Sequence, residues 1–410
     1  MKSSLRIMAF VSMVDVLGFG VLIPLLPYMG ERFGASPGLI TAILGSYSLC
    51  QFIASPFWGR LSDRYGRRPI LMSSLAGACL SYVILAFANG LGLLLLSRIL
   101  AGFMAGNLAA AFAYASDVSA PEDRAKSMGV IGAAIGVGFM LGMPIGGALA
   151  GNQAATANFV RPALLSVGLS ITAFLLVRFA LPESRPEGTH PLPRERGLVS
   201  LNLLRERPVL RAVAGSALLV TCAQGILEYI FAIWAFHRFG VGPRTVGLAL
   251  FGVAGLTVLM QGGFVRALAP RLGEAMLGSL GAGLYAVGLL LVGLAGESVP
   301  LIAVGLALAG IGMGAFTPSA SALASRQSQG ADRGAVMGTY QASTSLARVI
   351  GPFASGYIYQ LIGANAPFLT SACLAIPAAC LLWSVRHAGR DLEPTVTESA
   401  PSGRSKRPGR

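Results

Sequence analysis

The sequence predicts an all-α polytopic membrane protein: twelve transmembrane helices arranged as two parallel, pseudo-symmetric six-helix halves. Three observations predict this. Hydrophobic residues make up 54% of the 410-residue chain and charged residues 12%, whereas soluble domains carry roughly 25% charged residues. Apolar runs long enough to cross a bilayer recur along the chain. Landmarks of the first half also return in the second, in order and at a nearly constant spacing.

A span needs about 20 mostly apolar residues. Candidates lie at 7–29, 38–58, 69–89, 91–115, 127–150 and 161–182, and again at 209–236, 243–265, 275–296, 299–323, 335–360 and 364–385. The first run follows Lys2 and Arg6, as a signal peptide would. It is too long for one and is interrupted by Asp15, Pro24 and Pro27, so it reads as a retained span. The domains expected are an N-terminal half (1–182), a cytoplasmic linker rich in Arg, Glu and Pro (183–208), a C-terminal half (209–385) and a basic, disordered cytoplasmic tail (386–410).

Basic residues set the orientation. With the N-terminus placed in the cytoplasm, the inside segments hold Arg60, Arg64, Arg67, Arg68, Arg124, Lys126, Arg266, Arg271, Arg326 and Arg333, together with the arginines of the linker and tail. The outside holds only Arg32, Arg161, Arg238 and Arg244. Both termini are therefore expected inside, which requires an even number of spans. The net charge of +14 is distributed as punctuation between apolar runs and forms no nucleic-acid-binding patch.

Shifting the first half by about 208 residues aligns Leu61, Arg64 and Gly66 with Leu268, Arg271 and Gly273, and Gly102 and Gly106 with Gly310 and Gly314. The same shift brings Asp123–Arg124 to Asp332–Arg333, Met128–Gly129 to Met337–Gly338, and Gly142 to Gly351. A shift of six spans keeps the halves parallel, which is the plan of secondary transporters with a site between the halves.

Between spans two and three the chain reads Gly59-Arg60-Leu61-Ser62-Asp63-Arg64-Tyr65-Gly66-Arg67-Arg68-Pro69. This resembles the signature loop of the major facilitator superfamily, G-x-x-x-D-R-x-G-R-R. Glycines permit a tight turn, arginines face the anionic leaflet, and Asp63 can pair with an arginine or a helix N-terminus, a contact able to latch one conformation. The second-half copy has Pro270 in place of Asp63.

Span four carries Arg98, in a setting similar to the second signature of proton-driven exporters of that superfamily. A charge inside a span costs about 2.5–3.5 kcal/mol on insertion scales, so Arg98 is expected to face the interior and hold a partner, or else to snorkel outward. Span five places Gly138, Gly142 and Gly146 on one face, where small residues allow close helix approach. Its Gly142-Met143-Pro144-Ile145-Gly146-Gly147 resembles the exporter signature G-P-x-x-G-G with the proline one place late.

The order of motifs from about residue 7 to 360 is similar to the tetracycline-efflux-like branch of drug:proton antiporters. It includes Asp15-x-x-Gly18 and His237-Arg238-Phe239-Gly240. The chain departs from that branch in having Ser81 where an acidic residue of span three stands, and Ala282 or a neighbour where one of span nine stands. The resemblance implies the cell inner membrane, a small-molecule substrate, protons as the second substrate, and action as a monomer.

Two carboxyls lie well inside apolar runs: Asp15 in span one and Glu228 in span seven, the equivalent helices of the two halves. Burial disfavours an ionised carboxylate, so these are the proton-coupling candidates, unless Asp15 serves as a structural hydrogen-bonding group and Glu228 sits at an interface. Arg348 in span eleven is the remaining intramembrane charge. Cavity candidates are Gln51, Asn107, Tyr114, Gln224, Tyr229, Trp234, Gln261, Tyr340 and Gln341.

The five cysteines and three histidines are scattered, so neither a disulfide, a metal site nor a cofactor is expected. No nucleophile–base pair or P-loop suggests an enzyme or an ATP-driven pump. The function expected is proton-coupled efflux of a drug-like amphiphile or secreted metabolite by alternating access. Import or facilitated passage of a polar nutrient is one alternative, and a transporter-like sensor or scaffold is another.

Overall fold

The computed structural model describes residues 3–120, 123–184, 201–327 and 333–386, and every regular element among them is helical. The first half comprises α1 (Ser3–Leu22), α2 (Leu26–Arg32), α3 (Pro37–Tyr65), α4 (Arg67–Ala86), α5 (Leu91–Phe103), α6 (Asn107–Asp117), α7 (Arg124–Ala150) and α8 (Val160–Ala180). A short helix, α9 (Leu201–Glu206), precedes the second half. That half comprises α10 (Pro208–Phe239), α11 (Pro243–Leu259), α12 (Val265–Leu272), α13 (Glu274–Leu294), α14 (Val299–Arg326), α15 (Arg333–Leu361) and α16 (Ala366–Ser384).

Three expected spans are broken or distorted. Span one stops at Leu22 and restarts at Leu26, where Pro24 and Pro27 remove backbone donors. Span four breaks at Met104–Gly106 between α5 and α6. Span eight passes through a wider π turn, Met260–Phe264, before continuing as α12. Among the described residues, eleven segments are long and apolar enough to cross a membrane. The twelfth, α15, has the length at 29 residues but carries Tyr340, Gln341, Ser343, Thr344 and Arg348 along its middle.

The packing repeats with the sequence. Within the first half α1 lies against α7 and α8, α4 against α8, and α3 against α5; within the second, α10 lies against α15 and α16, α13 against α16, and α11 against α14. The halves meet through α3 with α15 and α7 with α11. Those two contacts exchange under a shift of six spans, as a two-fold repeat requires.

Glycines set the close approaches. A Cβ on Gly142 would lie 2.6 Å from the Leu17 carbonyl oxygen and 2.7 Å from the Val21 nitrogen. Gly138 and Gly146 meet the backbone of α1 one turn to either side, while Gly147 faces Pro243 of the second half. Pro144 sits half-buried inside α7 without ending it. Large apolar side chains such as Phe179, Leu294 and Leu361 are exposed on the outside of the bundle, which suits a lipid-facing surface.

Candidate functional site

The site begins with where the halves touch. At the end holding α2, which is the end away from the Gly59–Pro69 segment, they are knitted together. The Tyr28 hydroxyl donates to the Val241 carbonyl at 2.8 Å. His237 bridges Glu31 (3.0 Å to Nε2) and the Tyr359 hydroxyl (2.8 Å to Nδ1). The Arg244 N–H donates to the Gly151 carbonyl at 3.3 Å. Toward the other end the facing helices diverge. A Cβ on Gly136 or Gly255 would still meet the opposite half at 3.9 Å, but on Gly129, Gly132 or Gly262 it would meet nothing within 4 Å.

Midway between these ends lies a cavity of about 240 Å³. From the first half it is lined by Asp15, Gln51 and Asn107, and from the second by Gln224, Glu228, Tyr229 and Arg348. The helix period explains the grouping: on α10, Thr221, Gln224 and Glu228 fall on one face at spacings of three and four. Asp15 is 8% exposed and accepts a hydrogen bond from the Asn107 amide. Glu228 and Tyr229 are half-buried, whereas Arg348 is exposed to the cavity. Phe19 stacks on Tyr47 with ring centroids 5.0 Å apart and tilts against Phe139 at 6.4 Å, giving an aromatic wall.

Arg98 lies one layer nearer the closed end, beside a void of about 20 Å³ that it shares with Tyr47, Glu228 and Tyr229. It is 1% exposed, so it does not snorkel. Among the described residues its polar contact is Nε to the Ser97 hydroxyl at 3.4 Å, and Nη2 has no hydrogen-bond partner. The phenols of Tyr82, Tyr47 and Tyr229 are its electrostatic neighbours.

Five cavity candidates lie elsewhere. Trp234 is in the second-half core, its indole donating to Asn365 at 3.1 Å and its ring against Phe368. Six residues beyond Glu228 is about 240° around a helix, which turns it away from the cavity. Tyr114 is buried and donates to the Pro182 carbonyl at 3.1 Å. Tyr340 is buried in the core, Gln341 is exposed with its Oε1 3.3 Å from the Thr344 hydroxyl, and Gln261 is exposed on the π turn. Sequence reading missed Tyr47, Ser48, Tyr82, Phe139 and Thr221, which line the cavity.

The Gly59–Pro69 segment is less a loop than a helix junction. Gly59–Tyr65 belongs to α3, and the turn is Gly66 alone, at φ 98°. A Cβ there would meet the Glu183 carboxylate at 2.6 Å. Arg67 bridges Asp63 at 2.7 Å and Asp117 at 2.9 Å. Glu183 accepts the backbone N–H groups of Arg67 and Arg68 at 2.9 and 3.1 Å, capping α4, and Arg68 donates to the Val177 and Arg178 carbonyls. Arg64 is exposed, its guanidinium over Tyr65. These contacts stay within the first half and Glu183, the residue that follows it. Glu183 had one signal in the sequence: it follows span six on the side where the segment emerges.

Two parallel helical halves, closed at one end around a cavity lined by ionisable groups from both, fit the plan of a multi-pass membrane transporter. The chain belongs to the Major Facilitator Superfamily, whose family model matches residues 8–296 and 237–408. It is 30% identical to the class B tetracycline resistance protein of Escherichia coli, over 88% of this chain and 89% of that protein. It is 32% identical to the Escherichia coli class C protein, over 88% and 91%. Among solved structures it resembles the human organic anion transporter MFSD10 (TETRAN), with a TM-score of 0.69 and 26% identity over 92% of this chain and 98% of that one. It also shares its fold with a POT family transporter at TM-score 0.78 and 14% identity, over 94% and 96%. Like its relatives it is a transporter and not an enzyme.

Proposed function

We propose that the protein is a proton-coupled exporter of a small amphiphilic compound, resident as a monomer in the cell inner membrane with both termini cytoplasmic. The observation that carries this reading is the placement of Asp15 and Glu228. They come from the equivalent first helices of the two halves and face one cavity. Relatives named for tetracycline resistance support export.

In this reading the end that carries the Gly59–Pro69 segment is cytoplasmic, so the conformation is inward-open and Tyr28, Glu31 and His237 form the closed outer gate. Cargo enters from the cytoplasm against Phe19 and Tyr47. A basic group on the cargo takes the place of the proton on one of these carboxyls, since one carboxylate can hold either cation but not both. The halves then rock about the α3–α15 and α7–α11 contacts, the outer gate parts, and a proton from outside releases the cargo.

The test is a toxicity panel in an efflux-deficient host expressing the protein, followed by transport of each hit into everted vesicles with and without a proton gradient. Accumulation that needs the gradient is expected. Transport that is indifferent to it would remove proton coupling from the account.

A further inference from the structure

Resting on that reading of the cavity, we propose that the cargo is a zwitterion, an amphiphile whose acidic group seats on Arg348 while its basic nitrogen faces Asp15 and Glu228. Charges of both signs line the same 240 Å³ space. Yet no ion pair joins Arg348 to either carboxyl, and no hydrogen bond from Arg348 occurs among the described residues.

This absence of pairing needs a cause. The chain builds ion pairs readily elsewhere, as Arg67 does with Asp63 and Asp117. Arg348 is exposed to the cavity and interacts with Glu228 only through space, so its guanidinium stands free to take a ligand. It is kept where something else completes it. A ligand with one charge would satisfy one pole and leave the other bare; a ligand with two, carried beside an apolar body, satisfies both. The Phe19–Tyr47 stack supplies the apolar wall for that body. About 240 Å³ lies just below the ~300–1,000 Å³ range of ligand pockets, so the cargo is compact.

The arrangement also ties recognition to motion. Asp15 stands in the first half and Arg348 in the second. A zwitterion that holds both bridges the halves, and it favours the states in which they close upon it. A cation alone would bind the carboxyls and leave Arg348 without a counter-charge.

Three matched probes test this: tryptophan, tryptamine and indole-3-propionate, read as ligand-induced shifts in thermal unfolding of the full chain in detergent. Tryptophan is expected to bind about ten-fold or more tightly than either single-charge probe, since a charged hydrogen bond is the difference. Arg348→Gln should collapse the tryptophan-to-tryptamine ratio toward one, and Arg348→Lys should restore part of it. Equal affinities of the three probes, no shift by any, or an unchanged ratio in a folded Arg348→Gln protein would overturn the proposal. Gradient-driven transport of the toxicity hits, measured in parallel, separates the two readings. If it persists while the ratio is flat, only the zwitterion assignment fails; if it is lost while the ratio holds, only the proton-coupled exporter reading fails.

Discussion

Weakening the outer gate should raise the population of the conformation open at that end. Glu31 and His237 meet at 3.0 Å with 22% and 37% of their side chains exposed. Such a pair is worth roughly 0.2–1 kcal/mol, and only while the imidazole is protonated. Glu31→Gln should therefore shift the open-to-closed ratio about 1.4- to 5-fold. Tyr28 is buried and its hydroxyl reaches the Val241 carbonyl at 2.8 Å. Losing that bond through Tyr28→Phe costs about 0.5–1.5 kcal/mol, a shift of roughly 2- to 13-fold. If the two contacts act independently, the double variant shifts the ratio about 3- to 70-fold. Spin labels at Ala155 and Arg238, both exposed near the closed end of opposite halves, would report it. The assay is pulsed electron–electron distance measurement in a background with the five cysteines replaced. A longer-distance population should grow in the order Glu31→Gln, Tyr28→Phe, double variant. An unchanged distribution in the double variant would refute the gate as described.

Three further outcomes are expected. Asp63→Asn should insert and fold, because Arg67 keeps Asp117 and Glu183 still caps α4, but transport should fall; normal transport by a well-expressed variant would contradict a gating role. Gly142→Ala should lower the unfolding temperature, since its Cβ would press on the backbone of α1 at 2.6 Å and overpacking costs about 1–3 kcal/mol. Gly132→Ala, with open space around it, should instead be neutral or stabilise by about 0.5–1 kcal/mol; the same sign for both would show that close approach is not what Gly142 provides. Reporter fusions at 60–68, at 185–207 and in the tail should read cytoplasmic, and an external signal from 185–207 would overturn the assigned orientation.

Much of the cavity was legible because an ionisable residue inside an apolar run is conspicuous. Asp15, Glu228 and Arg348 stood out for that reason, and the structure gathers them in one space. Gln51, Asn107 and Gln224 followed on the same ground. Aromatic residues carry no such contrast, since Tyr47, Tyr82 and Phe139 look like ordinary membrane residues until packing shows which face they occupy. Trp234 failed in the opposite way: it is near Glu228 along the chain but turned away from it around the helix. The breaks in spans one and four had unequal signals. Pro24 and Pro27 announce the first, while Met104–Gly106 contains no residue that forbids a helix. Linker residues 185–200 and tail residues 387–410 lie outside the described residues, as does Asp332 of the repeat.

The central claim is that Asp15 or Glu228 carries the transported proton, and vesicle transport tests it most directly. A toxicity hit is loaded into everted vesicles bearing wild-type, Asp15→Asn or Glu228→Gln protein, and two rates are measured: uphill accumulation driven by an imposed proton gradient, and gradient-free exchange of labelled for unlabelled compound. Neither amide can titrate, so at least one variant should lose uphill accumulation while retaining exchange. If both still concentrate the compound on the gradient, the proton travels by another group and the assignment is wrong.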